Sequence, residues 1–211
     1  MSRLARRLLG KTRFYAPWKA IAQYPDYWWW IIRGQPERPP HLFKQKTVRE
    51  YARRFGLRTL VETGTYYGEM VHALLDCFAR IYTVELDATL VSLARRRFLS
   101  YPHVQVLEGD SQEVIPRLLE QIKEPGLFWL DAGYYGWDGR VGRSGRLTSE
   151  LRAVLAHAVP GHVISMDDAH GLSGTGGAPT LAELKSEIER DFPGWKVDAA
   201  YNIVRIHRPQ P

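Results

Sequence analysis

The sequence predicts an α/β fold built on a mostly parallel, doubly wound sheet with an antiparallel hairpin at one edge. Three observations carry this. Short apolar runs alternate with helical stretches from residue 59 to residue 167. The runs are continuous rather than alternating, as in parallel strands covered on both faces. Near the C-terminus two further strand-like runs are joined by only Tyr201-Asn202, a link too short for anything but an antiparallel turn.

Taken in order, residues 47–55 read as a helix ended by Gly56. The parallel strands fall at residues 59–62, 81–85, 104–108, 127–131 and 163–167. Helices are expected at residues 68–79, 88–99, 111–121 and 149–158. A last helix starts at Thr180, where Thr180-Leu181-Ala182-Glu183 has capping-box spacing and Pro179 precedes it. The edge hairpin pairs residues 196–200 with 203–207, and no internal repeat is visible.

The chain has 211 residues, enough for one domain with a sizeable core. The longest apolar run, residues 27–32, is far short of the roughly 20 residues of a membrane span. A basic start without an apolar stretch of secretory length predicts no signal peptide, hence a cytoplasmic protein. The single cysteine, Cys77, excludes an internal disulfide and reads as an inert thiol in a helix.

The formal charge of +6 is unevenly spread: residues 1–60 hold 14 Lys+Arg against 3 Asp+Glu, and residues 61–211 hold 15 against 20. Residues 1–40 read as a basic, aromatic extension ending in Pro36, Pro39 and Pro40, ahead of a domain at 41–211. Its Trp28-Trp29-Trp30 triplet is a large apolar payload. The segment could pack on the domain, on a second copy in a homo-oligomer, or peripherally on an anionic membrane. A solvated basic face, or an acidic or phosphorylated partner, is the other reading.

The first strand runs into Glu62-Thr63-Gly64-Thr65-Tyr66-Tyr67-Gly68 and then a helix. Glycines there allow a sharp turn and close approach of a ligand to the backbone. Ligands of open α/β sheets bind at the carboxyl ends of the strands. The G-x-x-x-G spacing is not the dinucleotide G-x-G-x-x-G, and no Gly-Lys-Ser/Thr for a triphosphate follows. The second strand ends in Glu85, which could accept bonds from both ribose hydroxyls. The third runs into Asp110-Ser111, where an adenine amine could be met. Each carboxylate alone is more often a solvated loop residue, but three in order at successive strand ends favour a nucleoside-bearing cofactor.

On these residues the chain, from about 58 to 207, resembles the class I S-adenosylmethionine-dependent methyltransferases with their Rossmann-like fold. The resemblance implies that Glu62, Gly64, Thr65 and Gly68 hold the methionine part, Glu85 the ribose, and Asp110 and Ser111 the adenine, with Asp131 beside the cofactor. Tyr66 stands where the family usually has a glycine.

Further carboxylates fall at the next strand ends: Asp131, then Asp167-Asp168-Ala169-His170. If those strands are neighbours, three carboxylates converge, and they repel unless a cation or a proton sits among them. Oxygen ligands of this kind suit Mg²⁺ or Ca²⁺, and a metal would lower the pKa of a bound hydroxyl. Two simple polar residues entering the glycine-rich stretch 171–177 fit the same letters equally well. The pattern of Asp131, Asp167-Asp168 and Pro179-Thr180-Leu181-Ala182-Glu183-Leu184 resembles the macrocin O-methyltransferase-like group and methyltransferase-like proteins of polysaccharide gene clusters. That resemblance implies Asp131, Asp167 and Asp168 as Mg²⁺ ligands, with His170 or Asp168 taking the proton. Relatives often carry His where this chain has Gly133.

Residues 133–146 hold five glycines, two Tyr, a Trp and three Arg, and read as a lid over a sugar-like or anionic acceptor, or as a plain surface loop. The expected function is O-methylation of a hydroxyl on a glycan or small molecule in polysaccharide or related biosynthesis. The alternatives are a non-catalytic cofactor-binding module and a nucleic-acid methyltransferase. The last draws on the basic N-terminal segment but lacks an Asn-Pro-Pro-Tyr-type motif, which makes nucleic acid the less favoured partner.

Overall fold

A computed structural model describes residues 15–36, 38–131, 147–175 and 178–209, with side chains from residue 23 onward. Seven strands form one sheet in the order β3-β2-β1-β4-β5-β7-β6. They are β1 (Thr59–Thr63), β2 (Arg80–Glu85), β3 (Val104–Glu108), β4 (Gly126–Leu130), β5 (Val163–Met166), β6 (Lys196–Ala200) and β7 (Ile203–His207). The first five are parallel, and β7 runs antiparallel between β5 and β6, as the sequence predicts.

The helices are α1 (Tyr15–Ile32), α2 (His41–Arg54), α3 (Glu69–Ala73), α4 (Ala88–Arg97), α5 (Ser111–Leu119), α6 (Ser149–Ala156) and α7 (Leu181–Asp191). Every residue of β1 and β4 is buried, because helices cover both faces. On one face Val61, Phe128 and Ile164 meet Ile115 of α5, Leu151 of α6 and Leu184 of α7. On the other, Leu60, Leu127 and Trp129 meet Val48 of α2, Val71 of α3 and Phe98 after α4. The capping box at Thr180 is formed, its hydroxyl accepting from the Glu183 amide while the Glu183 carboxylate accepts from the Thr180 amide.

Two helices differ from expectation. α2 begins at His41 rather than at residue 47, with Pro40 just outside its first turn. Proline is tolerated there because the first amides of a helix have no internal partner. α3 ends at Ala73, where the sequence pattern runs on to residue 79. The Arg49 guanidinium of α2 takes the Ala73 carbonyl and pairs with Asp76, and the Cys77 amide bonds Leu74 instead, so the chain leaves in tight turns.

Of the three consecutive tryptophans only Trp30 is buried. Its ring centroid lies 4.8 Å from Phe43 and 5.5 Å from Tyr201, and its indole N–H donates to the Pro36 carbonyl. Trp28, Trp29 and Ile32 are exposed. Among the described residues no helix is long and apolar enough to cross a membrane.

Candidate functional site

The carboxyl ends of β1, β2, β4 and β5 open on one edge of the sheet. After β1 the backbone turns through left-handed conformations at Gly64, Tyr66 and Gly68, with φ of 81°, 50° and 69°. Tyr66 therefore keeps the glycine-like turn, at the energetic cost of a non-glycine residue there. A Cβ on Gly68 would stand 2.6 Å from Phe98 Cε2, so glycine is required for the loop to close on the core. The loop is pinned to β2 at several points. The Val84 carbonyl accepts from the amides of Gly64 (2.9 Å) and Thr65 (3.2 Å). The Glu85 carboxylate accepts from the Tyr66 amide at 2.7 Å and, through its other oxygen, from Leu86 and Asp87.

Beneath this loop lies a buried polar chain. Glu62 Oε2 accepts from Thr83 Oγ1 at 2.5 Å, and Thr83 lies 2.6 Å from Thr65 Oγ1. The parallel register sets Glu62 opposite Thr83. Burial pushes the Glu62 carboxyl up to about 8, with repulsion from Asp131 and Glu85 adding and the Thr83 bond opposing. At neutral pH these surroundings thus favour a proton on Glu62.

Asp110 caps α5, accepting from the Gln112 amide at 2.9 Å. Ser111 beside it is largely buried. Glu150, at the start of α6, faces this pair; burial pushes it up to about 7, against a hydrogen bond from Ser111.

A second group of carboxylates forms past β4 and β5. The Asp131 amide donates to Thr63 Oγ1, and the Asp167 amide donates to the Leu130 carbonyl. Burial pushes Asp131 up to about 7, and Asp167 and Asp168 add to the rise, so all three carboxylates feel one another. Asp167 is also raised by burial, against the pull of Lys44. The Lys44 ammonium, from the first turn of α2, donates to Asp167 Oδ2, while Oδ1 accepts the Asp168 amide at 2.8 Å.

Asp168 has left-handed backbone, φ 57°, an uncommon state for a residue with a Cβ. The hairpin turn supports it. Tyr201 and Asn202 are both left-handed, as a type I′ turn requires. Asn202 Nδ2 donates to Asp168 Oδ1 at 3.0 Å, and its Oδ1 accepts from the His170 amide at 2.8 Å. His170 Nδ1 lies 2.9 Å from that same oxygen, which can only accept. Nδ1 therefore carries the ring proton, and in the neutral ring Nε2 is left with the lone pair.

Mg²⁺ fits this arrangement poorly. Lys44 occupies one oxygen of Asp167 and Asn202 one of Asp168, and among the described residues no three His, Cys, Asp or Glu side chains form a metal-holding group. The lid expected at 133–146, including Gly133, lies outside the described residues. Lys44, Thr83, Glu150 and Asn202 carry parts of the site that sequence reasoning missed. Only Thr83 had a sequence signal, a polar residue inside an apolar strand.

No family model matches the chain, and no curated protein matches it in sequence. Solved structures do match in shape. An O-methyltransferase from Bacillus cereus in complex with SAH superposes with TM-score 0.59 at 15% identity, covering 98% of this chain and 96% of that one. The SAH-bound methyltransferase PaMTH1 of Podospora anserina gives 0.59 at 18% identity, covering 90% and 88%. The O-methyltransferase TomG of Streptomyces achromogenes, involved in tomaymycin synthesis and solved with SAM, gives 0.56 at 16%, covering 79% and 80%. The fold is that of the Rossmann-like methyltransferases. In such a sheet the loop after β1 and the acidic end of β2 border the crevice where ligands bind. The 64–68 loop and Glu85 stand at that edge here with Glu62 buried beneath the loop, and the aspartates follow β4 and β5, on the other side of β1 from Glu85.

Proposed function

We propose that the protein is an S-adenosylmethionine-dependent methyltransferase acting on a hydroxyl of a glycan or other small molecule. One observation carries the reading: the 64–68 loop and the Glu85 carboxylate are joined into a single preset cradle above the buried Glu62. Burial favours the neutral form of this carboxyl, which suits a ligand that brings a cation to it. S-adenosylmethionine, with its ammonium and sulfonium groups, supplies an electrophilic methyl when bound. Glu62, Gly64, Thr65 and Gly68 face its methionine part in this reading. Glu85, with lone pairs beyond its three backbone bonds, takes the ribose. Leu86, exposed beside it, offers an apolar face to the adenine, and Asp110 and Ser111 meet the ring edge.

Across the crevice, Asp131, Asp167 and Asp168 line the acceptor side. His170 through Nε2, or the exposed Asp168 carboxylate, accepts the hydroxyl proton. The fold-level likeness to O-methyltransferases supports the choice of a hydroxyl, and the resemblance of the aspartate pattern supports a sugar-like acceptor. Residues 1–40 serve assembly, acceptor capture or surface attachment; exposed Trp28, Trp29 and Ile32 support this.

Calorimetry with S-adenosylmethionine and S-adenosylhomocysteine tests the reading. Both are expected to bind, with Glu85→Ala weakening them by about tenfold or more. Absence of binding to folded protein overturns it.

A further inference from the structure

Lys44 approaches the aspartates from outside the sheet. It sits in the first turn of α2, and its ammonium bonds an Asp167 carboxylate 123 positions away in the chain. Both side chains are shielded, at 17% and 3% exposure. The turn that delivers Lys44 is held on both flanks. Phe43 packs against Trp30 at 4.8 Å and Tyr201 at 5.2 Å, and Gln45 bonds His41. A lysine whose neighbours are fixed in this way is not a roaming surface cation. Its charge acts on Asp131 as well as on Asp167. Three carboxylates need a cation among them, and the chain provides one.

We propose that Lys44 is the built-in cation of this site, filling the place where oxygen-rich carboxylate clusters hold a divalent metal. The inference rests on the methyl-transfer reading for its chemical use. An ammonium has three donors, and Asp167 takes one; among the described residues no other side chain takes a second. A remaining N–H donates to the acceptor oxygen, stabilising negative charge as it develops there. The acceptor's O–H proton passes to His170 Nε2 or Asp168. The freed oxygen pair forms the new O–CH₃ bond as the S–CH₃ bond breaks, its electrons staying on sulfur, which becomes a neutral thioether. No divalent metal enters the balance.

Mn²⁺ is the probe. Titrations followed by electron paramagnetic resonance would compare wild-type, Asp167→Asn, Lys44→Ala, Lys44→Arg and Lys44→Ala/Asp167→Asn proteins, each checked for folding by its melting curve. The wild type and Lys44→Arg are expected to bind no stoichiometric Mn²⁺. Lys44→Ala empties the position and should bind one Mn²⁺ at least about tenfold more tightly, with Asp167→Asn abolishing the gain. Two results overturn the proposal. One is tight Mn²⁺ binding to the wild type that Asp167→Asn abolishes; the other is a folded Lys44→Ala protein that gains no affinity. If Lys44→Ala does not fold, Lys44→Arg and the wild type still decide, since stoichiometric metal in either refutes the role. S-adenosylmethionine calorimetry on the same proteins is a separate readout: its failure counts against the methyl-transfer reading and leaves the metal result standing.

Discussion

Replacing Glu62 by Gln removes a charge that the folded, ligand-free chain is badly placed to bear. Its carboxyl is pushed from 4.5 in the open chain up to about 8 by burial, against a hydrogen bond from Thr83. A group whose folded pKa is raised contributes stability that is fully present below its unfolded pKa and is lost as pH rises through the folded one. For Glu62 that window runs from pH 4.5 to about 8. Each tenfold difference in proton affinity is about 1.4 kcal/mol, so by pH 7 the wild type has forgone about 3 kcal/mol. The amide of Gln keeps the shape and can still accept from Thr83, and it does not titrate. Urea unfolding followed by tryptophan fluorescence should therefore find Glu62→Gln no more stable than wild type at pH 4.5. It should be more stable by about 3 kcal/mol at pH 7, and by about 4 kcal/mol at pH 8. The same variant should bind S-adenosylmethionine more weakly, because a cationic ligand can draw the proton off Glu62 and pair with the carboxylate, which the amide cannot become. A stability difference that is constant with pH, or a variant less stable than wild type at pH 7, would refute the reasoning.

Two further outcomes are expected. Gly68→Ala should lower stability by about 2–4 kcal/mol, combining a left-handed backbone with a Cβ 2.6 Å from Phe98, and a loss below about 0.5 kcal/mol in a denaturant melt would disprove that contact. His162 is buried between the Gly126 amide and His157, and burial lowers it to about 4. A histidine neutral in the fold but protonated in the open chain costs stability as pH falls from 6.5 toward 4. His162→Gln should flatten that acid limb, and an unchanged slope of melting temperature against pH would sink the assignment.

The sheet was legible because parallel strands covered on both faces must be apolar throughout, and the strand-end carboxylates were legible because polarity there interrupts those runs. Other parts left no local trace. Pro39-Pro40 reads as an end to what precedes it, yet Pro40 stands immediately outside a helix, so the turn carrying Lys44 was overlooked. The early stop of α3 depends on Arg49 reaching across from another helix. Glu62 and Thr83 become partners only once the register of β1 on β2 is set. Asn202 read as turn chemistry, and its grip on Asp168 and His170 is a property of the folded hairpin against β5.

That grip divides the site by distance along the chain. The cradle of Glu62, the 64–68 loop and Glu85 is made by strands that neighbour one another in space and follow one another in the chain. Its residues all precede Leu86 in the chain, so its contacts are local, although a domain folds as a unit. The carboxylates past β5 have no such locality: Asp168 and His170 are held by Asn202, which the antiparallel pairing of β7 brings beside β5. The proposed nucleoside cradle thus rests on contacts close in sequence, whereas the proposed proton acceptors rest on a contact that only the completed hairpin supplies.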